Sequence, residues 1–486
     1  MPILSTPTFG LTPSSEQVPL STNYITNFNF LTQYLPDTYE KEFERYGNRT
    51  VSSFLRMVGA EMPSNSDQIK WAEQGRLHTK YTNCLSLSAL AANTATFTIT
   101  IPATGAGAIA TGNNIAIRKD QTVMIYDNAT GLSNKAIVTA TPTIVSSTSY
   151  TLAVAYYEAA GQAFPVSSTC SVWVYGSEFK KGTAGMTGSL EAEDEFFSNK
   201  PIIIKDKYEV NGSDMAQIGW VEVTTENGAN GYLWYLKSEH ETRLRFEDYL
   251  ETAMIEAVPA EVGSGAISVV GVAGTANSGG SEGVFYVVNN RGNVWGGGNP
   301  TSLSDWDTVI SRLDKQGAIE ENVLFVNRDF GFDIDDMLAA QNSYGAGGTS
   351  YGLFDNDKDM ALNLGFTGFR RGYDFYKTDW KYLNDPTMRG SMPTGSTAKG
   401  NITGLLVPAG STNVYDQIMG KNAKRPFLHV RYRASEAEDR KYKTWITGSA
   451  GGAQTSDIDK MEVNFLSERA VCTLGANNFV LFRYGA

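Results

Sequence analysis

Apolar positions recur along the chain with different rhythms, and each rhythm predicts a different element. Residues 1–35 have none: Pro2, Pro7, Pro13 and Pro19 stand among Ser and Thr with no sustained period of two or 3.6, which predicts an extended arm. A helix is predicted from Asp37, where Asp37 and Glu40 form a capping-box pattern after Pro36; it carries Tyr39, Phe43, Val51, Phe54, Leu55 and Val58 to about Met62. From Ser88 to Gly176 the rhythm becomes short β-branched and aromatic runs such as "TATFTITI", "TVMIYD", "SYTLAVAYY" and "CSVWVY", separated by Gly, Asn and Ser, which predicts an all-β insertion, a small barrel or sandwich. Residues 178–223 have strand-like ends around a glycine-rich acidic middle, the pattern of a long two-stranded loop reaching away from a body.

Helical spacing returns over 232–258, ended by Pro259. Leu233, Leu236, His240, Arg243 or Leu244, Glu247, Leu250, Met254 and Val258 fall three and four apart, so one face is expected to be apolar or amphipathic and the other charged. At 1.5 Å per residue such a helix spans about 40 Å. From Ala266 the pattern is mixed. "AISVVGVAG" and "GVFYVVNN" read as strands, "DWDTVISRLDKQG" as a helix capped by Ser304 and stopped by Gly317, "NVLFVN" as a buried strand, and a further helix is expected near Asp333. Residues 354–385 read as aromatic-rich and partly helical, and 386–411 as a Gly/Ser/Thr/Pro loop. The C-terminal runs "FLHVRYRASEAEDRKYKTWITG" and "MEVNFLSERAVCTLGANNFVLFRY" read as antiparallel strands with a charged tip.

Composition narrows the function. The 486 residues predict about three structural units. Forty basic against 52 acidic residues give a net charge of −12, which disfavours a general nucleic-acid binder. Cys84, Cys170 and Cys472 are far apart and include no CxxC pair, so neither a disulfide framework nor a zinc site is indicated and a reducing compartment fits best. The N-terminus lacks a signal-peptide pattern and nowhere do eighteen apolar residues run together, so a soluble protein made in a cytoplasm is expected.

The candidate chemistry dissolves on inspection. Glu239-His240-Glu241 lacks the second histidine of a helical zinc motif, position 244 being leucine, and its two glutamates diverge by roughly 200° on a helix. "GTSYG", residues 348–352, has neither the strand before nor the helix after that a nucleophile elbow needs. "DNDKD", residues 355–359, has Met360 and Phe366 where a calcium loop needs glycine and glutamate. "DIDD", residues 333–336, reads as a helix cap with first-turn acids, and "DFG" at 329–331 has no other kinase signature. The basic clusters Lys180-Lys181, Arg370-Arg371 and Lys421 to Arg425 are small and lie near acids. No catalytic, cofactor or metal constellation is found, and a non-enzyme is expected.

What remains is an order: arm, extended loop, very long helix, α/β body, returning strands. That order resembles the major capsid proteins of tailed bacteriophages, the Hong Kong 97-type fold. "YLPDTYEKEFERYGNRTVSSFLRMVGAEMPSNSDQIKWAEQGRLHTKY" further resembles the capsid proteins of crAss-like phages of gut Bacteroidales, "DQIKWAEQGRLH" at 67–78 being the most specific string. The resemblance implies an α+β fold with an N-terminal arm and helix over 1–66, an extended loop over 67–87 and 178–225, the all-β insertion domain over 88–177, a spine helix over 226–259, an axial domain over 260–420 and peripheral strands over 421–486. It implies self-assembly as hexamers and pentamers into an icosahedral shell around double-stranded DNA, assembled in the host bacterial cytoplasm, with portal, scaffolding and auxiliary or decoration proteins as partners and no membrane. Candidate subunit contacts are Asp67, Trp71, Arg76 and His78 of the specific string and Glu191, Glu193, Asp194 and Glu195 of the acidic loop. The alternative is a glycan-binding virion or bacterial surface protein that uses the Thr/Ser/Tyr-rich β insertion.

Overall fold

The computed structural model describes residues 61–485 apart from 76–77, 87–93, 101–114, 147–148, 160–167, 189–193, 218–222, 225–229, 232–233, 272–278, 317–318, 343–366, 394–399, 417–420 and 453. The N-terminal arm, the helix from Asp37, "GTSYG" and "DNDKD" lie outside the described residues. Glu61 and Met62, expected to close that helix, instead belong to a strand, Glu61–Ser64. The described residues fall into two units, one made of 204–251 and 442–467, the other of 61–203, 252–441 and 468–485.

The first unit is organised by the helix Trp234–Glu256, whose residues up to Glu251 it contains. Phe246 is fully buried and meets Phe465 at 5.6 Å and Tyr442 at 5.4 Å between ring centroids. Val210, Leu250, Met461 and Val463 complete this core. The inward face in this unit therefore runs Thr242, Phe246, Leu250, a spacing of four. Of the expected face Leu250 is buried as expected, whereas Leu236 is 46% exposed and Phe246, not expected there, is fully buried. The spacing of three and four fitted two faces, and Phe246 decides between them because its ring has the largest apolar surface to hide. Lys443–Gly448 pairs antiparallel with the first half of Lys460–Thr473, from Lys443 opposite Leu466 to Gly448 opposite Met461. Lys207 and Lys460 alternate with Glu209 and Glu462 on the outer surface, Lys207 lying 2.9 Å from Glu209 and 3.4 Å from Glu462.

The second unit contains a seven-stranded sheet over 80–177. It closes on itself because Thr94–Thr100 pairs with both Lys80–Ser86 and Ser149–Tyr156, so the insertion is a barrel. Alternation along Ser149–Tyr156 puts Tyr150, Leu152 and Val154 inside, against Ile115, Ile117, Val123, Ile125, Val138 and Val172. Its first strand, Lys80–Ser86, begins before the boundary expected at residue 88. Cys84 and Cys170, far apart in sequence, are direct cross-strand partners in this core, a meeting that spacing alone did not show.

A six-stranded mixed sheet forms the rest of the unit's larger core, in the order Asn293–Trp295, Val480–Arg483, Ile402–Pro408, Glu321–Val326, Tyr373–Asp379, Gly368–Arg371. Trp306 sits at its centre, with Phe369 at 4.9 Å, Phe375 at 5.2 Å and Phe482 at 5.9 Å. Ile402–Pro408 is buried throughout and corrects the loop expected over 386–411. There Gly404 admits the Phe330 ring, which a Cβ would meet at 3.0 Å, so the glycine serves packing and not a turn. The aromatic stretch after 366 opens as a hairpin, Gly372, at φ +79°, turning Gly368–Arg371 back onto Tyr373–Asp379, and the helical part expected there is the short helix Lys381–Asn384.

The helices differ from expectation in definite ways. Ile267–Val270 and Val284–Arg291 are helical where strands were expected. In the second, Val284, Phe285, Val287 and Val288 are buried, the i, i+1, i+3, i+4 pattern that a continuous apolar run conceals. Helix Leu303–Gln316 is capped by Ser302, not Ser304: the Asp305 amide donates to Ser302 Oγ at 3.2 Å and Asp305 Oδ2 accepts from the Ser302 amide at 3.2 Å. Arg328–Asn342 starts before Asp333, because Asn327 Oδ1 accepts from the Phe330 amide at 2.9 Å and supplies the cap assigned to "DIDD".

Candidate assembly interface

Ile69–Gln74 and Asp194–Asn199 form an isolated antiparallel ribbon, Trp71 facing Phe197 and Ala72 facing Phe196. Among the described residues the strands of the 178–223 segment do not pair with each other: Asp194–Asn199 takes its partner from before the insertion. A two-stranded ribbon is marginal in water by itself. Its root explains how this one holds.

On the inner face the guanidinium of Arg291 lies 4.3 Å from the Phe197 ring centroid and 5.8 Å from that of Trp71. The same guanidinium pairs with Glu282 at 2.9 Å. Burial pushes the Glu282 carboxyl above its usual range, and Arg291 only partly offsets this. Trp71 Nε1–H donates to Glu73 Oε1 at 2.9 Å, and the same oxygen accepts from the Gly475 amide at 3.0 Å. Beneath them Asn199, 4% exposed, uses its whole amide: Nδ2 donates to the carbonyls of Val471 (2.7 Å) and Glu282 (2.9 Å), and Oδ1 accepts from the amides of Glu282 (2.8 Å) and Lys200 (2.8 Å) and from Ser281 Oγ (3.0 Å). The ribbon is thereby fixed to the helix Val284–Arg291 and to the strand Lys460–Thr473. Its other face is open, with Phe196 73% exposed.

The residues singled out in the sequence divide accordingly. Trp71 is part of the root. Asp194 and Glu195 are exposed on the ribbon, opposite Gln74 and Glu73. His78 is exposed just beyond the ribbon strand. Asp67 pairs with Arg433 of the same chain, which also reaches Glu468 at 3.1 Å. Arg76, Glu191 and Glu193 lie outside the described residues. Arg291, Glu282, Asn199 and Phe196 were missed. Of these only Phe196 left a signal, an apolar pair "FF" inside an acidic run.

Glu468 is buried between Arg433 and Arg440, the latter at 2.6 Å, beside a cavity of about 420 Å³ lined also by Asn65, Ile203 and Glu438. Its two arginines are matched by Glu468, Asp67 and Glu438, so it offers no excess positive charge to an anion. The Glu-His-Glu helix carries i,i+4 pairs, Lys237–Glu241 at 3.9 Å and Arg243–Glu247 at 3.7 Å. Among the described residues no group of three or more His, Cys, Asp or Glu is placed to hold a metal, and no helix is long and apolar enough to cross a membrane.

No family model and no curated protein matches the chain. Similar solved structures include one from Microbacterium phage Oxtober96, aligned over 95% of this chain and 99% of its own at 9% identity with a TM-score of 0.40. One described as the capsid structure of the cyanophage P-SCSP1u covers 64% of this chain and 80% of its own at 10% identity, TM-score 0.32. The cyanophage Pam1 capsid asymmetric unit covers 63% and 82% at 11% identity, TM-score 0.36. At these scores the likeness is loose, and the functional reading rests on the chain's own geometry.

Proposed function

We propose that the chain is the major capsid protein of a tailed bacteriophage, of the Hong Kong 97-type fold and most like those of crAss-like phages, assembling into an icosahedral shell around double-stranded DNA. The observation that carries this is the ribbon: rigidly rooted on one face, exposing Phe196 on the other, and pairing with no further strand among the described residues. A neighbouring copy is the surface that such a ribbon lacks, and closed assembly from one chain needs interfaces of this self-extending kind. In this reading the ribbon is the root of the extended loop, Trp234–Glu256 the spine helix, the six-stranded sheet the axial domain, and Leu428–Arg433 with its partner strand part of the peripheral domain. Arg76, His78, Glu191, Glu193, Asp194 and Glu195 then line contacts between copies. The net charge of −12 suits an inner surface from which DNA must slide freely. Portal, scaffolding and decoration proteins would complete the particle.

Light scattering and negative-stain electron microscopy test the reading: polyhedra, sheets or tubes are expected, and Phe196→Asp should leave a folded chain that no longer assembles. A chain that stays at 52.9 kDa even with its scaffolding protein would sink it. One observation favours the glycan-binding alternative: Trp173 and Tyr175 are exposed together on the barrel, rings 5.9 Å apart, with Lys80 over the neighbouring Tyr126 ring at 5.4 Å. Retention of the whole chain on immobilised polysaccharide, lost in Trp173→Ala, together with failure to assemble, would select it.

A further inference from the structure

Cys84 and Cys170 are two thiols that face each other across adjacent barrel strands. They are register partners on adjacent antiparallel strands, both are fully buried, and both point into the same core. The Ser86 amide donates to the Ser168 carbonyl at 3.3 Å, which makes 86 and 168 a hydrogen-bonded pair and, two residues along, 84 and 170 another. Hydrogen-bonded antiparallel partners have Cα atoms about 5.5 Å apart, inside the range of about 4.4–6.8 Å that a disulfide spans. Both thiols are free.

We propose that Cys84 and Cys170 form a latent disulfide that closes when the chain leaves a reducing compartment, with a small disulfide such as oxidised glutathione as the oxidant. The Cys170 thiolate attacks one glutathione sulfur and expels the other as a thiolate. The Cys84 thiolate then attacks the Cys170 sulfur of the mixed disulfide and expels the second glutathione. Two protein thiols are oxidised, one glutathione disulfide is reduced to two thiols, and the two thiol protons end on them. Burial raises both thiols, but at Cys170 the Ser168 hydroxyl, 3.4 Å away, offsets part of this, so Cys170 goes first, whereas burial and the neighbouring sulfur hold the Cys84 thiol up at about 12. Access comes by local opening of Lys80–Ser86, whose pairing with Thr169–Ser177 is irregular between Tyr81 and Cys84. Once closed, the bond staples the first barrel strand in place.

The test incubates the full chain with oxidised glutathione under native conditions and in urea below its unfolding transition. Free thiols are then blocked with N-ethylmaleimide, and peptides are mapped by mass spectrometry without reduction. A linked Cys84–Cys170 peptide is expected, two of the three thiols are lost, Cys472 stays blockable after denaturation, and thermal unfolding rises by several degrees. Cys84→Ser should leave Cys170 as the glutathione adduct, and Cys170→Ser should leave Cys84 free. Three free thiols under both conditions, adducts without a linked peptide, or a link formed only above the unfolding transition would each overturn the proposal.

Discussion

Replacing Arg291 by alanine should loosen the ribbon without unfolding the body that carries it. The guanidinium touches two rings and one carboxylate, and it is about a fifth exposed. Cation–π contacts run from about 0.5–1 kcal/mol when exposed to about 2 when desolvated, so the two together contribute roughly 2 kcal/mol. Loss of the partly buried Arg291–Glu282 ion pair adds about 1 kcal/mol. The total of about 3 kcal/mol corresponds to roughly 100-fold faster local opening, since each 1.4 kcal/mol is about tenfold. Hydrogen exchange followed by peptide mass spectrometry reads this directly. Amides of 69–74 and 194–199 should accelerate by about that factor, while those of Glu321–Val326 in the sheet core stay slow. Arg291→Lys keeps the charge but not the flat face, and should recover less than half of the effect. An acceleration below threefold in the ribbon, or an equal one throughout the sheet, would refute the clamp as its anchor.

Other outcomes follow from the same geometry. Asn199→Ala strands two carbonyls, two amides and the Ser281 hydroxyl, at a cost of about 2–3 kcal/mol, and Asn199→Asp should do no better because a carboxylate cannot donate to Val471 and Glu282; chemical denaturation and ribbon exchange check both. Phe246→Ala empties the first unit's core and should cost about 3–5 kcal/mol in urea unfolding. Leu244→Pro breaks the long helix at about 3 kcal/mol or more and should abolish particles in the microscope; normal particles would contradict its role as a strut. His429, buried with its ring nitrogen 3.2 Å from the Pro426 carbonyl and near Arg425 and Arg431, has its pKa depressed by burial to about 4. The unfolded chain therefore binds the proton first, so this contribution, about 3 kcal/mol, is full above pH 6.5 and falls away toward pH 4. His429→Gln should flatten the stability slope in that window, and an unchanged slope would sink the assignment.

How much of this the sequence carried depends on the range of the interaction. Barrel strands were legible because alternation is local: Tyr150, Leu152 and Val154 announce an inside and an outside within one run. The long helix was legible in extent, Trp234–Glu256 within 232–258, and in part of its buried face, Leu250 and Met254, but Phe246 was missed because Leu236 and Phe246 both satisfied helical spacing. Val284–Arg291 was misread because β-branched residues are common to strands and buried helices, and only flanking elements choose between them. Asn327 and Ser302 were each displaced by neighbours that can also cap. The ribbon's root was the least legible: Trp71, Phe197, Arg291 and Asn199 come from three separated segments, and no spacing rule links them.

That separation bears on why the root is built from an arginine and an amide and not from aliphatic packing. An apolar contact would hold the ribbon without fixing its direction, since hydrophobic attraction is not directional. The planar guanidinium is held by Glu282 on its edge and by the Phe197 and Trp71 rings, and the Asn199 amide makes five directed hydrogen bonds; each admits few orientations. On the proposed function, a ribbon presenting Phe196 to a neighbouring copy at a set angle needs direction more than raw adhesion. Substitutions that keep burial but lose direction, Asn199→Leu above all, should therefore impair assembly more than their effect on stability predicts.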